Sequence, residues 1–211
     1  MNSNKRGIDD ILFLICDFLN KNDVAYVVVG GIAILFYGNP RTTMDIDIIL
    51  QLNERDIRNL VHFLEKKDFV VSEEDLRNAL KEKSHCTILD KLSILRLDVK
   101  GIYTWSDQMT LERRKAVEWR GTVIYIASPE DIIANKLYFG SEQDIKDAES
   151  IYVRQLKKLD MKYLEERCGS LNVHNEFMEI KERVERYLKK VDKNEISKQK
   201  QKRKEDNSGK S

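Results

Sequence analysis

Asp45-Ile46-Asp47 places two carboxylates two residues apart in an apolar run that continues through Ile48-Ile49-Leu50. In a strand, residues i and i+2 point to one face, so Asp45 and Asp47 stand side by side while Ile46 and Ile48 turn to the other. Two carboxylates held that close repel each other unless a cation sits between them. Hard oxygen donors of this kind suit Mg²⁺, or Mn²⁺ in its place, with the remaining positions taken by water and substrate phosphates. Upstream, Gly30-Gly31 closes the apolar run Val27-Val28-Val29. Glycines leading into a helix offer bare backbone N–H groups to an anion. A phosphate cradle beside a carboxylate pair is equipment for metal-assisted phosphoryl or nucleotidyl transfer.

Such a site calls for a third carboxylate on a neighbouring strand. Asp98 is the best candidate: alternation through Ile94–Val99 sets Leu95, Leu97 and Val99 on one face, and Arg96 and Asp98 on the other. An acid within an apolar strand needs a partner, because unpaired buried charge is costly. A salt bridge to Arg96 or Lys100 is the structural alternative. His62, His85 and His174 are scattered, and of these only His85, at a strand start, could approach the carboxylates.

The elements that must position these groups are legible in outline. Ile8, Ile11, Leu12, Ile15, Phe18 and Leu19 recur at helical spacing and predict a helix over 7–21. A short buried strand over 26–29, a helix over 32–37 ending at Gly38-Asn39-Pro40, and a strand over 44–50 follow. Asn53 caps a helix running to about Lys66. Then come a strand at 69–71, a helix over 73–82, and paired strands over 85–89 and 92–99 turning at Asp90-Lys91. A hairpin turns at Gly121 between strands 117–120 and 122–127. Trp105 and Trp119 read as core and rim. Beyond this the chain reads as helical. Ser128-Pro129-Glu130-Asp131 is a helix start, with Ser128 as cap, Pro129 in the first turn and Asp131 completing the box. Further helices are predicted over 142–157, 161–168 and 172–190. The fold class expected is α/β (α+β): a mixed sheet flanked by helices over 1–127, a helical C-terminal part over 128–190, and a disordered basic tail over 191–211.

Composition narrows the setting. Of 211 residues, 41% are hydrophobic and 35% charged, enough apolar content for a core. No apolar run approaches the roughly 20 residues of a membrane span. The first twenty residues combine a basic flank with an apolar stretch, but Asp9, Asp10 and Asp17 interrupt it and no small-residue cleavage site follows. This reads as an amphipathic helix rather than a signal peptide, and its apolar face is a candidate homodimer surface. Cys16, Cys86 and Cys168 have neither zinc spacing nor a disulfide pattern, which fits a reducing cytoplasm. The net charge of +1 hides an asymmetry: from Lys189 to Ser211 the chain carries +5, leaving −4 for the rest. No basic nucleic-acid face is therefore evident in the body. The tail either meets a polyanion by charge or only solubilises the chain.

The series Gly30-Gly31, Asp45-Ile46-Asp47 and a later strand Asp98 resembles the nucleotidyltransferase superfamily related to DNA polymerase beta. Arg41-Thr42-Thr43-Met44-Asp45-Ile46-Asp47 resembles the branch containing the AbiEii-type toxins. So do Ser128-Pro129-Glu130-Asp131, Lys136 and Lys146-Asp147, which look like that branch's helical motif. The resemblance covers about residues 25–155. It implies that Asp45, Asp47 and Asp98 bind the metal ions and carry the catalysis, and that Asp98 takes the acceptor proton. It also implies a nucleotide site made of Gly30, Gly31, Arg41, Thr43, Lys136 and Asp147. An NMP would pass from an NTP such as ATP to a hydroxyl on RNA, protein or a small molecule. An antitoxin-like partner is a further implication.

Each assignment has a plainer reading. The glycines can serve as a strand-to-helix turn. Arg41 can anchor its loop. Lys136 can be a solvated charge, and Asp144 and Asp147, three apart on one helix, can be ion-pair partners for Lys136 or Lys146. The alternative function is a catalytically silent nucleotide- or partner-binding domain of the same fold, against which the retained acids argue.

Overall fold

A computed structural model describes residues 6–190; the tail expected at 191–211 lies outside the described residues. In chain order the elements are α1 (Ile8–Lys21), β1 (Ala25–Val29), α2 (Gly30–Tyr37), β2 (Asp45–Gln51), α3 (Glu54–Glu65), β3 (Phe69–Val70) and α4 (Glu73–Lys81). There follow β4 (His85–Asp90), β5 (Arg96–Lys100), α5 (Trp105–Glu112), β6 (Lys115–Trp119), β7 (Thr122–Ile126), α6 (Pro129–Phe139), α7 (Glu142–Gln155) and α8 (Met161–Ser170). Residues 174–190 form a last helix, α9. The protein is thus a mixed α/β structure. The chain divides into two compact units between Ile132 and Ile133, inside α6.

The first unit is built on one seven-stranded sheet in the order β3-β4-β5-β2-β1-β7-β6. β2 runs antiparallel to β1 and parallel to β5, and β1 runs parallel to β7. Along β2 and β5 burial alternates: Ile46, Ile48, Leu97 and Val99 are buried, whereas Asp45, Asp47 and Asp98 are half-buried and Arg96 is exposed. The apolar side is thereby committed to the core, together with Tyr26 and Val28 of β1 and Ile88 of β4, while Val27 and Ile49 are buried on the opposite face. α1 packs on β1 and β7, α4 on β4, and α2 on β1 and β2.

Local chemistry accounts for the boundaries. The Asn53 side chain accepts from Arg55 and Asp56 N–H at 2.9 and 3.0 Å, while Asp56 reaches back to Asn53 N–H at 3.0 Å. This reciprocal arrangement satisfies donors a helix start otherwise leaves bare. Arg120 and Gly121 both have positive φ, 50° and 79°, as the two central residues of a tight hairpin turn require. Ser128 Oγ accepts from Asp131 N–H at 3.1 Å and donates to the Asp131 carboxylate at 2.6 Å.

Three expectations need correction. α2 begins at Gly30 itself, not at Ile32, so the first glycine already belongs to the helix. β5 begins at Arg96 rather than Leu92, because Leu92 and Ile94 are exposed in the connection from β4. Residues 105–112 form α5, which periodicity does not reveal. Its start is marked by Thr104 and Asp107, each bonding the other's backbone N–H at 3.1 Å, and Trp105 stands exposed on it.

The second unit, from Ile133, is helical. Ala148, Ile151 and Tyr152 of α7, Leu164 and Cys168 of α8, and Phe177, Ile180 and Val184 of α9 are buried. Tyr152 meets Phe177 edge-on at 5.6 Å between centroids. Cys16, Cys86 and Cys168 are all buried and free, as their spacing suggests.

The sheet's apolar side is expected to hold the fold. Leu97→Ala, at a fully buried position of β5, should cost about 2–5 kcal/mol in a urea titration with an unchanged m-value.

Candidate active site

The parallel register of β2 and β5 sets Asp45 opposite Arg96 and Asp47 opposite Asp98. Register partners share a face, so Asp45, Asp47 and Asp98 form one row on the side opposite Ile46, Ile48, Leu97 and Val99. The sequence expectation for these acids therefore holds in face and in adjacency. β4 continues the row, with Thr87 opposite Asp98 and Leu89 opposite Arg96.

Each acid is held by a different device. Arg96 Nε donates to Asp45 Oδ1 in a close ion pair. Thr87 Oγ1 donates to Asp98 Oδ1 at 2.5 Å. Asp47 lies against Gly30: a Cβ built on Gly30 would strike the Asp47 carboxylate and stand 3.0 Å from the Asp47 Cβ. Gly30 also has φ +62°, a conformation that side chains resist. A Cβ on Gly31 would fall 2.6 Å from Thr43 Oγ1 and 2.9 Å from Thr43 Cβ. The glycine pair therefore does more than turn the chain. It lets the start of α2 close onto both Thr43 and Asp47, fixing the backbone N–H groups of that turn next to the acids. Thr43 Oγ1 in turn donates to Asp45 C=O at 3.2 Å and accepts from Asp45 N–H at 3.4 Å. Arg41 Nη1 donates to Thr42 C=O at 3.4 Å in the same loop.

The Asp98 alternative, a salt bridge to Arg96 or Lys100, is not what forms. Arg96 goes to Asp45, and Lys100 pairs with Asp107 at 2.7 Å. Burial works to raise the Asp107 carboxyl, but the Lys100 ammonium and hydrogen bonds from Tyr103 and Thr104, just ahead of α5, outweigh it, leaving Asp107 below its ordinary range. Arg96 is held more firmly in its charged form, first by its hydrogen bond and attraction to Asp45, and more weakly by Asp98 and Asp47.

As donors, three carboxylates on one face fit a hard divalent cation. As the side chains stand, they do not converge: among the described residues no group of three or more His, Cys, Asp or Glu is gathered tightly enough to hold a metal. Asp45 turns to Arg96 and Asp98 to Thr87, and both partners come from positions that only the strand register brings near. His85, at the start of β4, is exposed.

Lys136 and Asp147 lie in the second unit. Lys136 pairs closely with Asp144 and stands 3.7 Å from Asp147 Oδ2, all three side chains being largely buried. The solvated-charge reading of Lys136 is thus set aside in favour of an ion pair. Lys146 pairs with Glu142 instead. Burial pushes the Asp144 carboxyl up, but Lys136 and Ser141 more than offset this and leave it below its ordinary value.

A sequence family described as a nucleotidyltransferase of unknown function (DUF6036) matches residues 11–201. That description names no toxin branch. No curated protein matches the sequence significantly. Among solved structures, the chain is similar to an antigenic nucleotidyltransferase-like protein from Paracoccidioides brasiliensis, at 24% identity and a TM-score of 0.52 over 69% of this chain and 75% of that one. It is also similar to ANT(2")-Ia in complex with adenylyl-2"-tobramycin, at 15% identity and a TM-score of 0.52 over 78% and 96%. At these identities the likeness is one of fold.

Two predictions follow from this geometry. Gly31→Ala should cost about 1–3 kcal/mol by overpacking, and a double-mutant cycle with Thr43→Gly should recover part of it, whereas Gly30→Ala, with its positive φ, should not be rescued by trimming Asp47. The lowered Asp144 carboxyl stabilises the protein above the ordinary aspartate value of 3.8. That contribution fades as pH falls through the lower folded value, because the unfolded chain takes up the proton first. Asp144→Asn should flatten this part of the acid-unfolding curve followed by circular dichroism.

Proposed function

The chain belongs to this nucleotidyltransferase family, and we propose that it transfers a nucleoside monophosphate from an NTP to a hydroxyl of a small, neutral or cationic acceptor, releasing pyrophosphate. The observation that carries the reading is the row Asp45-Asp47-Asp98 beside a glycine turn that closes onto it. The acceptor class rests on charge. Outside Lys189–Ser211 the chain carries −4, a poor match for an RNA acceptor and a better one for a neutral or basic small molecule. ANT(2")-Ia, bound to an adenylylated aminoglycoside, provides a precedent on the same fold.

Asp45, Asp47 and Asp98 are the residues that would hold Mg²⁺ or Mn²⁺. When bound, the ion supplies charge neutralisation at the phosphates and acidifies the attacking hydroxyl. The remaining work falls to the chain. Backbone N–H groups at Gly30 and Gly31 bind the triphosphate at the start of α2, with Thr43 keeping that turn in place and Arg41 adding positive charge in the adjoining loop. The acceptor oxygen bonds to the α-phosphorus, the bond from that phosphorus to the α–β bridging oxygen breaks, and pyrophosphate leaves. Asp98, oriented by Thr87, takes the acceptor proton. Orienting the two substrates against each other supplies a further share of the acceleration.

The test is transfer of α-labelled NTP, each base in turn, to a panel of small hydroxyl compounds, with total RNA and protein extract as separate arms. Label on a small molecule supports the reading. Label on RNA or protein keeps the reaction and overturns the acceptor class. Asp47→Asn should lower kcat by about 10²–10⁴, corresponding to several kcal/mol of lost charge stabilisation. No transfer in any arm, together with no NTP binding, would sink the enzyme reading.

A further inference from the structure

Arg96 occupies the position where the carboxylate row calls for a cation. Its register partner on β2 is Asp45, with which it pairs through Nε. Asp98, two residues further along β5, shares its face, and Asp47 stands opposite Asp98. The Arg96 guanidinium thereby offsets part of the repulsion among these acids, most directly at Asp45. The pair is not locked in the interior: the Arg96 and Asp45 side chains are 46% and 33% exposed. Exposed ion pairs contribute little free energy and exchange readily. A group with two positive charges and a hard preference for oxygen can displace such a partner, but the guanidinium then needs an anion elsewhere.

We propose that Arg96 is the resident counter-ion of the carboxylate row, leaving Asp45 when a divalent cation arrives and turning to the triphosphate that comes with it. The proposal rests on the nucleotidyl-transfer reading and adds an exchange to it. Two properties follow by linkage. The nucleotide-free protein binds divalent cations weakly, because each must first evict Arg96. Cation and triphosphate bind cooperatively, because the triphosphate gives the evicted guanidinium a new partner; by reciprocity each tightens the other by the same factor. Arg96 is thus a positioning residue whose pairing decides when the row is open. Planar and bidentate, its guanidinium suits both a carboxylate and a phosphate.

The experiment is a calorimetric titration of the full chain with Mn²⁺, alone and with a non-hydrolysable α,β-methylene NTP. The proteins are the wild type, Arg96→Met, Arg96→Lys and Asp47→Asn, each first checked for an unchanged circular-dichroism spectrum. In the absence of nucleotide, Arg96→Met should tighten Mn²⁺ binding roughly fivefold, in line with release of an exposed ion pair, with Arg96→Lys falling between it and the wild type. The tightening of Mn²⁺ by the nucleotide analogue should be smaller in Arg96→Met than in the wild type. Unchanged or weaker Mn²⁺ binding in Arg96→Met, with binding still dependent on Asp47, would overturn the exchange and leave Arg96 as a support for Asp45. If neither wild type nor Arg96→Met binds Mn²⁺ with or without the analogue, the metal-dependent reading itself falls, and the exchange with it.

Discussion

Like charges held on adjacent strands are the constraint around which the first unit is organised. Asp45, Asp47 and Asp98 gain nothing from one another's company, and the sheet tolerates them because other groups absorb the cost. On the reverse of the same strands, Ile46, Ile48, Leu97 and Val99 are buried in the core. Rotating any acid away from the row would drag one of these into solvent. On the front, each acid has its own restraint: an arginine for Asp45, a threonine hydroxyl for Asp98 and the glycine turn for Asp47. The close approach of α2 to β2 depends on two residues without side chains. The same contact that fixes Asp47 therefore also fixes the backbone amides at the start of that helix.

The second unit handles charge differently. Lys136, Asp144 and Asp147 are largely buried, with one ammonium set between two carboxylates, so their energetics depend on mutual pairing. In the row on the sheet, Arg96 and Asp45 remain partly in water. One arrangement is closed and the other can be exchanged, though both are built from the same residue types.

What could be read from the sequence followed physical scale. Where a helix shows a strong apolar stripe, as α1 and α3 do, periodicity located it. Where turn chemistry is specific, as at Arg120-Gly121 and Ser128-Pro129, the boundary was also visible. α5 escaped because its buried face is short and partly polar, with Asp107 and Thr110 inside and Trp105 outside; its only signal was the Thr104-Trp105-Ser106-Asp107 capping pattern. The start of β5 was misplaced because Leu92 and Ile94 look like strand residues yet lie exposed in a connection. At the site, the acids themselves were legible from alternation. Their partners were not, since pairing Asp45 with Arg96, or Thr87 with Asp98, depends on strand order and register, which spacing along the chain does not encode.

The parallel pairing of β2 with β5 has a consequence for how such chains can diverge. Between Gln51 and Arg96 the chain makes a long excursion through α3, β3, α4 and β4 before returning beside its starting point. Insertions or deletions in the loops of that excursion leave the alignment of Asp47 with Asp98 untouched. A single residue added within β2 or β5 would instead turn an acid toward the core. The distance in sequence between the second and third acids is therefore free to drift while their distance in space is not. Related chains can lose the spacing that would let the third acid be found by counting, yet keep the row intact.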